Sequence, residues 1–166
     1  MKPVYYLDNN ATTRVAPEVL QAMLPYYCEY YGNPSSAHFF GEQVAKKIKT
    51  AREQVAEFLN IDTPEEIIFT SCGTESNNTA INSALALQPE KRHIITTRVE
   101  HPAVLNYCKH LEKQGYFVSY LKVNDQGELD LSELESTLTD KTAIVSIMWA
   151  NNETGVVFPI DKIANI

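Results

Sequence analysis

Three apolar segments in this chain each run into a short polar turn, and a helical pattern follows. Ile67-Ile68-Phe69-Thr70 leads into Ser71-Cys72-Gly73-Thr74-Glu75-Ser76. His93-Ile94-Ile95-Thr96 leads into Arg98-Val99-Glu100-His101-Pro102, and Ala143-Ile144-Val145-Ser146-Ile147-Met148 into Trp149-Ala150-Asn151-Asn152-Glu153-Thr154-Gly155. Repeated strand–turn–helix units predict an α/β fold with parallel strands and helices packed on the sheet. Parallel strands bring their carboxyl ends to one edge, and ligands bind at that edge. Thr74, His101 and Asn152 are therefore expected to face one crevice.

The rest of the chain supplies the elements between these units. Val4-Tyr5-Tyr6-Leu7 reads as a short strand closed by Asp8-Asn9-Asn10-Ala11-Thr12-Thr13. Pro17 suits a first helical turn, where its missing N–H costs nothing, and Pro25 is expected to kink or end that helix. Gly32-Asn33-Pro34-Ser35-Ser36 is turn chemistry. The strongest helical pattern runs from about His38 to Asn60, with Val44, Ile48, Ala51, Val55 and Phe58 forming a stripe expected to be buried. Thr63-Pro64-Glu65-Glu66 predicts a single capped turn. Helices are expected over 79–87 and 103–114, the second closed by Gly115. A strand is expected over 116–123 and a turn at Asp125-Gln126-Gly127. Ser132 with Glu135 predicts a capping box for a helix ending near Leu138. Pro159 opens a last helix, whose final residues carry no capping glycine and no polar tail. A parallel sheet normally continues past such a helix, so the pattern reads as the front part of a longer protein.

Composition narrows the function. A net charge of -7 argues against a nucleic-acid binder, which would carry a basic patch; Lys46-Lys47-Ile48-Lys49 reads as a solvated helix face. Three cysteines without CxxC spacing fit a reducing cytosol better than a disulfide scaffold, so a cytoplasmic location is expected. Met1-Lys2-Pro3 leads directly into polar residues, without a signal-peptide pattern. No apolar run is long enough to cross a membrane.

Each polar turn allows a chemical and a plain reading. Ser71 to Ser76 joins a strand to a helix with small residues and hydroxyl donors. It is either a phosphate cup at a helix N-terminus or an ordinary N-cap with a tight turn. It is neither a P-loop nor a dinucleotide fingerprint, because the required glycine patterns are absent. His101 precedes Pro102, which restrains its backbone, so its imidazole is either a ring-stacking or proton-moving group or a structural histidine. The Asn152 amide either orients a ring hydroxyl or a carboxylate, or belongs to the turn for its propensity alone. Glu153 reads as a buried orienting group or a helix-dipole partner before a catalytic base. Together the cup, imidazole and amide describe a pocket for a phosphorylated aromatic ring, which pyridoxal phosphate fits better than a nucleotide.

Five segments in order carry a resemblance. Tyr6 to Thr13, Gly32 to Ser36, Phe69 to Ser76, Glu100 to Leu105 and Trp149 to Val156 resemble cysteine desulfurases, in that family's order and near its spacing. The Ser-Cys-Gly-Thr-Glu-Ser and Met-Trp-Ala-Asn-Asn-Glu-Thr-Gly forms are most similar to its nitrogen-fixation branch. The resemblance implies a partial fold-type I, aspartate aminotransferase-like large domain, with residues 1–15 an N-terminal arm and 16–166 the N-terminal part of that domain. It implies pyridoxal 5'-phosphate as cofactor and L-cysteine as substrate, with L-alanine as product. It also implies a homodimer, and an iron–sulfur scaffold protein as sulfur acceptor. Carried over by motif, Gly73 and Thr74 would bind the cofactor phosphate. His101 would stack on the pyridine ring and serve in acid–base work. Asn152 would contact the ring hydroxyl side and the substrate carboxylate.

The family's Schiff-base lysine, its aspartate at the pyridine nitrogen, its carboxylate-binding arginine and its sulfur-accepting cysteine have no counterpart in these residues. Cys28 and Cys108 fall in helical patterns and read as packing residues, and Cys72 sits at the presumed cup. The isolated chain is therefore expected to be inactive. Two other readings stand beside this one. One is a different fold-type I enzyme, such as a selenocysteine lyase or an aminotransferase. The other is a non-catalytic binding or scaffold module.

Overall fold

The computed structural model describes residues 3–166, which form two compact units, Met1–Phe69 and Thr70–Ile166. Met1 and Lys2, which open the segment read as lacking a signal peptide, lie outside the described residues.

The first unit is helical. Helix α1 (Pro17–Met23) and the single turn α2 (Pro25–Cys28) each start on a proline at the first position, so Pro25 divides the pattern as expected. The long helix α3 (Phe39–Phe58) begins at His38, whose Nδ1 accepts the N–H of Gly41 at 3.4 Å. It closes with Asn60 in the left-handed region (φ 55°) and the N–H of Ile61 donating to the carbonyl of Ala56 at 2.8 Å. That six-to-one bond is the usual way to satisfy a last carbonyl. The turn before α3 is tight: a Cβ on Gly32 would meet the Phe40 carbonyl oxygen at 2.3 Å. Arg52 donates to the Ile67 carbonyl and lies over the Phe69 ring, 5.1 Å from its centroid.

Four expectations fail among the described residues of this segment. Residues 4–7 form no strand and are exposed, Val4 at 96%. Backbone donors and acceptors make a strand only beside a second one, and none runs beside these. For the same reason Ile67 to Thr70 forms no strand among the described residues; Ile67 is buried, while Ile68 and Phe69 are exposed. The α3 stripe is not covered within its own unit: Gly41 and Ala56 are the buried positions, and Phe58 is 87% exposed. Thr63 precedes a 3₁₀ turn (Pro64–Glu66) without a side-chain cap bond.

The second unit contains the sheet. Strands β1 (His93–Thr97), β2 (Phe117–Leu121) and β3 (Thr142–Ser146) are parallel in the order β2-β1-β3. All five residues of the central strand are buried. Its β-branched run suits a strand covered on both faces. Ile94 packs with Ile81 and Leu85 of α4 (Gly73–Leu87), with Val104, Cys108 and Leu111 of α5 (Pro102–Lys113), and with Val118. Ile95 points to the other face and packs with Leu121 and Leu134, the latter from α6 (Leu131–Thr137). Ile163 of α7 (Ile160–Ala164) adds to that cluster. At the start of the sheet, His93 bridges both neighbours: Nδ1 meets Thr142 Oγ1 at 2.8 Å and Nε2 meets Ser119 Oγ at 2.9 Å.

Local signals hold in this unit with one correction. Gly115 follows α5 at φ +88°, and Gly127 turns the chain after β2 at φ +80°. The α6 cap is Asp130, not Ser132: its Oδ1 accepts the Ser132 N–H at 2.8 Å. Ser132 is the second residue of the helix, so its amide is the group that needs capping.

Candidate active site

Strand order decides where a ligand would sit. The chain leaves β1 for β2 on one side, then returns past β1 to β3 on the other. The order therefore reverses between β1 and β3, and a crevice is expected outside their carboxyl ends. The turns that leave these two strands are Arg98–His101 and Ile147–Gly155.

Helix α4 begins at Gly73, with Cys72 extended at the N-cap and no side-chain cap bond. Ser71 donates to Glu75 Oε2 through its N–H (2.7 Å) and its hydroxyl (2.6 Å), and Thr70 Oγ1 pairs with Ser76 Oγ at 2.6 Å. The Ser71 hydroxyl, followed by its amide, lowers the pKa of the Glu75 carboxyl below its ordinary value. The Cys72 thiol is lowered too, first by the Glu75 amide and then by the Ser71 hydroxyl. A helix N-terminus favours negative charge in this way. Around Gly73 the space is open; a Cβ there would meet nothing within 4 Å.

Helix α5 begins at Pro102 with His101 as its cap. The Ala103 N–H donates to His101 Nδ1 at 3.1 Å. An accepting Nδ1 leaves the neutral ring's proton on Nε2. Thr74 and His101 border one open hollow of about 420 Å³, together with Asn78, Asn106, Tyr107 and His110. Asn78 Oδ1 is a buried oxygen without a hydrogen-bond partner. The start of α4 and an imidazole on one hollow suit an anionic, flat-ringed ligand, and these groups fit the phosphate and ring of pyridoxal phosphate. No lysine borders this hollow among the described residues.

Asn152 does not join this pair. It is exposed in the turn after β3 and is not among the residues lining the hollow. The buried amide is its neighbour Asn151, 8% exposed. Asn151 Nδ2 donates to the Val99 carbonyl at 3.1 Å, and Oδ1 accepts the N–H groups of Glu153 (2.9 Å) and Thr154 (3.0 Å). An Asx turn of this kind consumes the first asparagine and turns the second outward. Glu153 is also exposed, which rules against the buried orienting role and not against the alternative of a helix-dipole partner.

Two further polar residues escaped the sequence reading. Thr97 and Glu100 are buried, at 0% and 6% exposure, with Thr97 Oγ1 donating to Glu100 Oε1 at 3.0 Å. Burial raises the pKa of the Glu100 carboxyl, which bonds from the Met148 amide and Thr97 only partly offset. The usable signal was a threonine and a glutamate three residues apart where an apolar strand ends.

The aminotransferase class-V family model matches residues 5–166. A cysteine desulfurase of Trichormus azollae is 66% identical over 160 residues, spanning 96% of this chain and 40% of the relative. The cysteine desulfurase NifS of Azotobacter vinelandii is 56% identical over 161 residues, spanning 97% of this chain and 40% of that protein. Among solved structures, a NifS-like protein superposes with a TM-score of 0.90 at 44% identity, covering 95% of this chain and 43% of its own. A structure described as SspA in complex with cysteine gives 0.90 at 40% identity, covering 98% and 47%. The chain thus spans about two fifths of the length of the curated relatives it matches, and its three parallel strands and flanking helices are part of a fold-type I architecture. This chain belongs to the aminotransferase class-V family.

Proposed function

We propose that this chain is part of a pyridoxal-phosphate-dependent cysteine desulfurase, which takes sulfur from L-cysteine, leaves L-alanine and passes the sulfur to an iron–sulfur scaffold protein. The whole protein works as a cytoplasmic homodimer, in the service of nitrogenase. Residues 1–15 form its N-terminal arm, and 16–166 belong to its cofactor-binding large domain. The observation that carries this reading is the shared hollow of Thr74 and His101, at the starts of helices α4 and α5. Relatives named cysteine desulfurase at 66% and 56% identity support it.

Pyridoxal phosphate, when bound, supplies the electron sink for chemistry at the amino-acid carbon. This chain supplies binding and orientation. The Thr74 hydroxyl would donate to the phosphate, the dipole of α4 would favour its charge, and Gly73 leaves room for close approach. His101 would lie against the ring and offer the proton at Nε2, since Nδ1 accepts the Ala103 N–H. Asn152, exposed and outside the hollow's lining, would reach the ring hydroxyl or the substrate carboxylate only from the turn after β3. The Schiff-base lysine and the sulfur-accepting cysteine lie outside these residues, so this chain alone is inactive.

The test uses the full-length protein. It should release sulfide and alanine from cysteine, and Thr74→Ala should weaken affinity for pyridoxal phosphate about 10- to 100-fold, as expected for losing a hydrogen bond to a charged group. Unchanged affinity in Thr74→Ala would overturn the phosphate assignment. A wild-type protein inert toward cysteine would overturn the activity.

A further inference from the structure

The turn that carries His101 is tied to the end of β3 by buried side chains that the proposed chemistry does not use. Glu100 Oε1 accepts two hydrogen bonds, from Thr97 Oγ1 at 3.0 Å and from the Met148 N–H at 2.8 Å. Thr97 ends β1, whereas Met148 follows β3, so one carboxylate oxygen joins both sides of the switch point. Asn151 adds a second tie from the same side, through Nδ2 to the Val99 carbonyl. The Val99 N–H in turn donates to Thr97 Oγ1 at 3.3 Å. His101 is the next residue after Glu100, and its Nδ1 is held by the Ala103 amide.

This carboxylate has no stabilising partner of opposite charge. Neither ion pair among the described residues involves Glu100, and a buried carboxylate without a cation costs desolvation. An apolar residue would avoid that cost but could not accept the Met148 and Thr97 donors. The geometry of the turn is what the carboxylate provides.

We propose that Glu100 is a positioning residue for His101: by joining Thr97 and Met148 it fixes the β1–α5 turn and so sets where the imidazole stands at the hollow. The part of this inference that concerns cofactor affinity rests on the reading given under Proposed function; the part that concerns the ring does not.

The experiment uses the full-length protein with labelled histidine. The imidazole NMR signal of His101, assigned by its loss in His101→Gln, is followed together with affinity for pyridoxal phosphate. Glu100→Gln keeps an oxygen that accepts both donors, so it should keep the His101 signal and hold affinity within about twofold of wild type. Glu100→Ala should move the signal and weaken affinity about tenfold, because small misplacements of a binding group are costly. Should Glu100→Ala fail to fold, Glu100→Asp keeps the charge on a stem one methylene shorter and should move the signal the same way by less. Leu134→Ala, in the core cluster on the far face of the sheet, controls for lost stability and should leave the signal in place. A wild-type His101 signal in Glu100→Ala or Glu100→Asp would overturn the proposal. So would an equal displacement in Leu134→Ala, or Glu100→Gln as damaging as Glu100→Ala. If the wild type does not bind pyridoxal phosphate but Glu100→Ala still moves the signal, the positioning role stands and the cofactor reading falls.

Discussion

The two units of this chain use apolar residues differently. In Thr70–Ile166, one five-residue strand is buried throughout and separates two hydrophobic clusters, with helices over both faces. In Met1–Phe69, the 20-residue helix α3 buries two positions, and Ile48, Phe58, Tyr27 and Tyr31 remain exposed. The helix carries the stripe that marks an amphipathic element, and the strand is a β-branched run covered on both faces. Periodicity says which residues share a face; burial further requires a second surface of matching shape. The sheet unit contains that surface within itself, and the helical unit, taken alone, does not.

Thiol chemistry should show the contrast most strongly. Cys28 in the first unit is exposed, as is Cys72 at the start of α4, whereas Cys108 lies inside the sheet unit with its thiol pushed up to about 11 by burial. Alkylation followed by peptide mapping should label Cys28 of the first unit at least about 100-fold faster than Cys108, since a buried thiol is shielded from the reagent. Equal rates would mean that the sheet unit opens readily.

Core substitutions come next in size. Leu134→Ala should cost about 2–5 kcal/mol in urea unfolding, the usual range for a leucine cavity. Phe58→Ala should change stability by only about 0.5 kcal/mol, as exposed positions do. A loss with Phe58→Ala as large as with Leu134→Ala, measured in the full-length protein, would mean that another part of that protein covers the α3 stripe.

The smallest effect concerns pH. Burial holds the pKa of His93 below its ordinary value, so the unfolded chain takes up a proton at higher pH than the folded one. The stability that neutral His93 contributes is fully present above the ordinary histidine value. It is lost as pH falls through the lowered folded value. Melting temperature should therefore decline across that window, and His93→Gln should flatten the decline. A wild-type curve as flat as the variant's would leave the bridge to Thr142 and Ser119 without a role in acid stability.

Much near-neighbour information was legible in the amino-acid order, although the α6 cap is Asp130 in place of Ser132 and Thr63 makes no cap bond. Pro17 and Pro25 mark helix starts, Gly115 and Gly127 mark turns, and the run His93 to Thr97 marks a buried strand, all of them local backbone preferences. The same order named Thr74 and His101, which border one hollow. It went astray wherever a partner far along the chain decides the outcome. Val4 to Leu7 and Ile67 to Thr70 have strand composition but no strand beside them. Asn151 and Asn152 are indistinguishable by residue type, yet the carbonyl of Val99, 52 residues earlier, engages only the first. Glu100 reads as an ordinary turn glutamate until the fold brings the Met148 amide to it across 48 residues. The sequence alone determined the longer helices, the turn glycines and the family, because these depend on short-range sterics and on residue identity. Tertiary structure alone decided which polar side chains are buried and which face the hollow, because a hydrogen bond depends on a distance that only the folded chain establishes.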